Sequence, residues 1–326
     1  MMQNQNNQSV HGEILSLALS ENTRIAYSKG WRCFRDYCVS RSIEPLNATP
    51  DDVTNFFVYL SSVPRSVTAT IKPGEPLSMG TLSLYKSAIN KQYNQVEKMS
   101  PTHAPKVNAI LKGLSRTRGD VPRQVQALRE HHIKKMLKHC GNTLIGLRDA
   151  AILAVGFAGA LRRSELCGLT VDDIEIISPV NGCGSRKMFM TIRKSKTDHA
   201  GKGQRIAIPE GKQVKPIHRL QAWMDAAGIT HGYLFQTMRR GGVIRGNPLH
   251  HSDIPRLIKR YAEAIGLNPK EVSGHSLRAG FVTCAAAHHA RLDKIMDITR
   301  HTNPATVMKY IRDADSFHDH AGEKFL

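Results

Sequence analysis

The stretch "SGHSLRAGFVTCAAA" sets His275 and Arg278 three residues apart, a spacing that puts both on one face of a helix. Histidine exchanges a proton near neutral pH, and arginine stays charged and grips phosphate oxygens in pairs. Proton transfer beside a fixed cation is the chemistry such a pair offers, although a surface ion pair at this spacing is the commoner outcome. Further along the chain, "GALRRSEL" places Arg162 directly after an apolar run, where a purely structural charge is out of place. "RKSKT" puts Lys196 at a turn, and "HTNPATVMKYIRDADSFHDH" sets Tyr310 nine positions after His301. A tyrosine on such a helix is usually a core residue with its hydroxyl at the surface. Taken in order, the polar set is Arg162, Lys196, His275, Arg278, His301 and Tyr310.

Mostly helices must position these groups. Over 21–40, Tyr27, Trp31, Phe34 and Cys38 recur at helical spacing, with Arg24, Lys29, Arg32 and Arg35 on other faces. Thr49, Pro50 and the acids after them are a helix start. Two more helices are expected over 78–95 and 102–114, making an all-helical unit over 20–114. The polar, basic stretch 115–128, broken by Gly119 and Pro122, reads as an interdomain linker. Beyond it, over 129–326, helices are expected at 129–140, 145–158, 213–227, 252–266, 275–289, 291–299 and 303–313. Two β-leaning runs, 187–193 and 204–208, flank a Gly- and Lys-rich turn and predict a small hairpin inside this second, mostly helical domain. Residues 1–19 are expected to be a short, disordered segment, with no apolar core of a secretory signal and no room for a further DNA-binding domain.

Charge points to the partner. The 326 residues are enough for about two domains at roughly 150 residues each. They hold 46 Lys plus Arg against 27 Asp plus Glu, a net charge of +19. With a pI near 9.9, a polyanion, and nucleic acid first, is the favoured partner. The excess is +5 over residues 1–120 and +14 over the rest, so both halves could touch DNA. Six cysteines form no CxxC pair, which argues against a zinc ribbon or a disulfide scaffold and for reduced thiols in the cytosol. The longest apolar run, 150–161, has 12 residues, short of the roughly 20 that span a bilayer. The His-His pairs at 131/132, 250/251 and 288/289 lack the spacing and nearby acid of a zinc site, so no metal is expected. Neither "NGCGS" nor "GKGQR" fits a phosphate-binding P-loop.

In order and spacing, "ALRRSEL", "GHSLR" and "HTNPATVMKYI" resemble the signature blocks of the tyrosine recombinase (phage integrase) family. The likeness extends to the helical N-terminal unit and linker, which look like the core-binding (SAM-like) domain and hinge of the two-domain, Cre-like members. It implies a mainly α fold with a small β-hairpin or sheet, closing as a C-shaped clamp on DNA. Tyr310 then corresponds to the nucleophile that leaves a 3′-phosphotyrosyl link and a free 5′-hydroxyl, with no metal and no nucleotide cofactor. Arg162 and Arg278 would meet the charge on the phosphate, and His301 would hydrogen-bond to it. His275 would help deprotonate Tyr310, and Lys196 would protonate the 5′-oxygen.

Glu165 is read either as support for the arginine pocket or as a helix-face ion pair. Several departures are visible. Arg163 follows Arg162 where many members carry an apolar residue, and motif alignment selects Arg162. Lys194 and Lys202 lie near the same turn as Lys196, which "KSKT" favours. His301 stands where Cre carries Trp.

For double-stranded DNA, the candidate contacts are Arg24, Arg32, Lys86 and Lys91 in the first unit and His251, Ser252, Arg256 and Lys259 in "HHSDIPRLIKRYAEAIGL". That segment has a helix start at Ser252 or Asp253 followed by Pro255, and its N-terminus could enter a major groove. The resemblance further implies a monomer in solution that assembles four copies on two DNA sites and exchanges strands through a Holliday junction. The residues after Tyr310, ending in "AGEKFL", would dock on a neighbouring copy. Two other activities use the same residues differently: relaxation of supercoils by a type IB topoisomerase, and sequence-specific DNA binding by a regulator that does no catalysis.

Overall fold

A computed structural model of the chain describes residues 19–62, 77–118, 125–179, 184–193, 203–239 and 241–314, with side chains through 310. The fold is mainly helical with a small antiparallel sheet. Its internal contacts divide it into two compact units, Met1–Pro122 and Arg123–Leu326.

Helices α1 (Glu21–Val39), α2 (Pro50–Ser62), α3 (Met79–Gln95) and α4 (Pro105–Arg118) make up the described part of the first unit. The start of α2 is a capping box: Thr49 N donates to Asp52 Oδ2 at 2.8 Å, and Asp52 N donates back to Thr49 Oγ1 at 3.3 Å. Phe34, Phe56, Leu82 and Ile89 are fully buried between the helices. A side chain at Gly30 would sit 2.8 Å from the Tyr85 ring, so glycine there permits the close approach of α1 and α3. The helix expected to stop at 114 continues to Arg118, because that guanidinium donates to Leu77 O at 2.6 Å and Ser61 O at 2.8 Å. These two bonds tie the last turn to its own unit.

The second unit begins with an extended stretch in which Gln126 N donates to Glu271 O and Leu128 N to Ser276 O. Leu128, expected in the linker, is fully buried in the core. Its approach requires Gly280, where any Cβ would lie 1.9 Å from the Leu128 carbonyl oxygen.

Then follow α5 (Glu130–Lys138), α6 (Leu144–Ala158) and α7 (Arg163–Gly168). The 150–161 apolar run forms the latter part of α6 and the turn after it, and residues 149–157 are buried throughout. That makes α6 the central helix of this unit. No helix among the described residues is long and apolar enough to cross a membrane.

Strands β1 (Ile174–Ile177), β2 (Lys187–Ile192) and β3 (Gln204–Pro209) form one antiparallel sheet, with Met190 opposite both Ile174 and Ile206. Alternation buries Met188, Met190 and Ile192 with Ile206 and Ile208 on one face. The expected hairpin is therefore β2 and β3 of a three-stranded sheet. β1 escaped notice because four residues rich in isoleucine, directly after an acidic turn, carry too short a period to read.

After α8 (Pro216–Ala227), strands β4 (Gln236–Met238) and β5 (Ile244–Pro248) form a second, irregular pair that sequence patterning also missed. The unit ends with α9 (Asp253–Ala264), α10 (Ser276–Ala287), α11 (Leu292–Thr299) and α12 (Pro304–Ala314). α10 packs on both α6 and α12, and so links the buried centre to the helix that carries Tyr310.

Candidate active site

α6 ends in a turn that organises the site. Gly159 closes the helix, and Ala160 takes a left-handed conformation at φ 45°. The turn aims the Ala160 carbonyl inward, where Arg278, in the first turn of α10 and 4% exposed, donates to it through Nη1 at 2.8 Å. Arg278 Nη2 is buried and has no hydrogen-bond partner among the described residues. Burial, then Arg162 and Arg300, push the Arg278 guanidinium down to about 9, opposed by Glu165 and by Tyr310. At neutral pH it remains charged, and a pocket holding a desolvated cation among other cations favours an anion.

Arg162 is the cap residue before α7, with extended backbone, and does not belong to the helix. The helix boundary falls between Arg162 and Arg163. Glu165, 5% exposed, accepts the Arg162 main-chain N at 2.8 Å and its Nη1 at 2.7 Å. Burial alone would raise the Glu165 carboxyl, but Arg300 and the Arg162 hydrogen bonds hold it below its ordinary value. The Glu165 carboxylate thus makes an i,i+3 ion pair with Arg162 and a second, buried ion pair with Arg300. Arg163 lies elsewhere, beside Gly274 and close enough to His251 to lower its pKa.

His301 is half-buried, with Nδ1 2.9 Å from Thr299 Oγ1. The Thr299 hydroxyl proton goes to Ile295 O at 2.7 Å, so Nδ1–H donates to Thr299 and Nε2 carries the free lone pair. Burial, followed by Arg278, Arg162, Arg300 and His275, brings the His301 imidazole down to about 4. The folded protein thus releases this proton more readily than the unfolded chain, whose histidine titrates near 6.5. Between those values the unfolded state binds more protons, so this contribution to stability is complete above 6.5 and is lost as the pH falls towards 4. Replacement by His301→Gln is expected to flatten the dependence of the unfolding midpoint on pH across that window. An identical slope in the variant would refute the assignment.

His275 is exposed and caps α10 rather than lying within it. It stands three residues before Arg278 at the start of α10, near enough to His301 to add to the lowering of its pKa. The Tyr310 ring packs against the small cluster of Val282, Ile295 and Val307, near enough to Arg278 for its phenol to act on the guanidinium. Five of the six candidate chemical residues are therefore brought together: Arg162, His275, Arg278, His301 and Tyr310. Lys196, with Lys194 and Lys202, lies outside the described residues, between β2 and β3.

One participant was missed. Arg300, 3% exposed, donates to Glu165 Oε2 at 2.8 Å from inside the cluster. A cation directly before His301 was the available signal, but nothing in its spacing said that it turns inward.

The DNA-contact candidates are surface groups. Arg24, Arg32, His251, Arg256 and Lys259 are exposed, and Lys86, Lys91 and Ser252 are partly so. Lys86 Nζ is 2.5 Å from Asn108 Oδ1. Ser252 occupies the N-cap of α9 without a side-chain cap bond, and Asp253, the first helical residue, accepts the His250 main-chain N at 3.0 Å. Among the described residues no cluster of His, Cys, Asp and Glu could hold a metal ion.

Residues 126–316 match the model of the phage integrase family. The chain is 28% identical to an integrase/recombinase xerD homolog of Selenomonas ruminantium over 94% of its own length and 86% of that protein. Its fold resembles the XerH site-specific recombinase bound to palindromic difH substrate, at a TM-score of 0.61 and 15% identity, over 85% of this chain and 73% of that one. The Tn1549 transposon integrase in complex with transposon right end DNA gives a TM-score of 0.60 at 17% identity, covering 94% of each chain. At such identities the two structures speak to fold alone.

Proposed function

The chain belongs to the phage integrase family of tyrosine recombinases, and from that premise we propose that it cuts and rejoins double-stranded DNA at a specific site through Tyr310. The observation that carries the reading is the pair Arg162 and Arg278, each held from behind by Glu165 or the Ala160 carbonyl, beside a tyrosine.

Held in this way, the two guanidiniums need no reorganisation to meet the charge that builds on the phosphate as it is attacked. The Tyr310 oxygen forms a bond to phosphorus while the bond to the 5′-oxygen breaks. The phenol proton leaves with the help of exposed His275, and Lys196 supplies the proton that the departing 5′-oxygen takes up. His301, neutral with its Nδ1 proton on Thr299, must gain a proton at Nε2 before it donates to the phosphate. A bound anion between the arginines promotes that uptake. Because the phosphodiester energy is kept in the tyrosyl link, a 5′-hydroxyl can reverse the attack and reseal without ATP.

Exposed Arg256 and Lys259 on α9, together with Arg24 and Arg32 on α1, supply phosphate contacts, with the 20–114 unit acting as the core-binding domain. Four copies assemble on two sites and exchange strands in pairs through a Holliday junction, with the protein free in the cytoplasm or on DNA.

Covalent trapping tests the reading. The protein is incubated with nicked suicide duplexes drawn from DNA flanking its gene, resolved on a denaturing gel, and any adduct is mapped by peptide mass spectrometry. A DNA-linked peptide containing Tyr310, with the link at a 3′-phosphate, is expected. Specific binding with no adduct on the bound site would replace this reading with that of a non-catalytic regulator. Adducts scattered over any sequence, with relaxation of supercoiled plasmid, would replace it with that of a topoisomerase.

A further inference from the structure

Arg300 closes α11 in the left-handed conformation, φ 57° and ψ 42°, which glycine adopts with least cost. The chain places there a long cation whose side chain is 1% exposed. Its Nη1 donates to Ile298 O at 2.6 Å and Gly159 O at 3.3 Å, and its Nη2 to Ala160 O at 3.3 Å and Glu165 Oε2 at 2.8 Å.

Two of those acceptors are shared. Glu165 Oε2 also takes the Arg162 main-chain N, and Oε1 of the same carboxylate takes the Arg162 guanidinium. The Ala160 carbonyl also takes Arg278 Nη1. One guanidinium therefore touches both groups against which Arg162 and Arg278 rest. It also sets the main chain one residue before His301.

Charge balance argues against a purely structural tie. Among the described residues, Arg162 and Arg300 share the Glu165 carboxylate and Arg278 lies near enough to feel it, so these groups carry more positive than negative charge, a surplus that a bound phosphate would neutralise.

We infer that Arg300 is a positioning residue for strand cleavage: through Glu165 and the Ala160 carbonyl it fixes the aim of Arg162 and Arg278 at the phosphate. The inference rests on the assignment of Arg162, Arg278 and Tyr310 to DNA cleavage proposed above. Arg300 itself touches no reacting atom, so its loss should spare DNA affinity and slow the chemical step.

The test compares wild type, Arg300→Met, Arg300→Lys, Glu165→Gln and the Arg300→Met/Glu165→Gln double variant. Single-turnover adduct formation on the trapped substrate is measured beside DNA binding and thermal unfolding. Arg300→Met is expected to cleave on the order of 100-fold more slowly, the scale for losing support behind a catalytic group, with affinity within about threefold of wild type. Arg300→Lys should regain roughly tenfold of that loss, because an ammonium still reaches Glu165 but cannot hold the carbonyls as a planar fork does. The double variant should cleave much faster than the product of the two single losses predicts.

A folded Arg300→Met that cleaves within about threefold of wild type would overturn the inference. So would losses that merely track the folded fraction, or that multiply independently. Should Arg300→Met fail to fold, Arg300→Lys decides: cleavage slowed about tenfold at unchanged binding supports the inference, and wild-type cleavage overturns it. If wild type itself forms no adduct on a site that it binds, the parent reading falls and this inference falls with it.

Discussion

Tyr310→Phe is expected to fold, to bind the recombination site with wild-type affinity, and to form no covalent adduct. The ring of Tyr310 packs on Val282, Ile295 and Val307, and phenylalanine preserves every one of those apolar contacts. The residue as a whole is only half-buried. Stability should therefore change by less than about 0.5 kcal/mol, as for other substitutions that leave packing intact. Cleavage, by contrast, loses its only nucleophile in the proposed mechanism. Removing a nucleophile elsewhere costs on the order of 10⁶ in rate, which here means no adduct above background. The separation of the two effects is the informative part. A variant that still forms an adduct would move the nucleophile to another residue, and one that also fails to bind DNA would make Tyr310 a contact residue. Gel trapping and a binding titration on the same preparation decide between these outcomes.

Much of this site was legible because its residues are scattered in sequence and chemically unlike their surroundings. Arg162 directly follows an apolar run, and a charge in that position has to be explained. His275 and Arg278 share a helix turn, and Tyr310 follows His301 by about two and a half turns. What could not be read is how groups adjacent in sequence diverge in space. Arg162 and Arg163 are neighbours, yet one rests on Glu165 and the other lies beside Gly274, because the helix begins between them. Arg300 and His301 are neighbours too. The left-handed residue between α11 and the next turn sends the arginine under the pocket, and no periodicity encodes that.

The fold divides in the same way. Helices with buried stripes were readable, since their period is long compared with errors at their ends. Residues 115–128 looked like linker throughout because they are polar and broken by Gly119 and Pro122. Yet Arg118 finishes α4 by bonding two carbonyls distant in sequence, and Leu128 is core because it meets a glycine on α10. Both facts depend on partners more than 40 residues away. The short strands β1, β4 and β5 are defined by pairing rather than by their own residues, so composition alone left them unseen.

A second residue hidden in this way is Asp149, at the edge of the apolar run, and Asp149→Ala is expected to destabilise the second unit by about 3 to 5 kcal/mol. Its side chain is fully buried. One oxygen accepts Arg148 Nε at 3.1 Å and Nη2 at 2.9 Å; the other accepts the Tyr261 hydroxyl at 3.1 Å and the Arg260 guanidinium. The carboxylate thus joins α6 to α9, and Arg148 extends the link to β4 through Gln236 O. Truncation leaves the Arg148 charge, 13% exposed, without its counterion, and the Tyr261 hydroxyl without its acceptor. Arg260 suffers less, since at 57% exposure it can turn to water.

Total stabilities are typically about 5 to 15 kcal/mol, so this one change removes a large share. Urea unfolding followed by Trp223 fluorescence in a Trp31→Phe background reports the second unit alone, because the chain has two tryptophans. A loss under about 1 kcal/mol would show that water or a rotamer change replaces the carboxylate.

The paired variant Arg148→Met/Asp149→Leu separates charge from packing. If the cost is the stranded charge, removing both partners should recover most of it, since buried ion pairs exchanged for apolar side chains of similar volume are often neutral or better. If stability stays low, the cluster is needed for the geometry it imposes between α6 and α9, and the DNA contacts proposed for Arg256 and Lys259 should then weaken along with it.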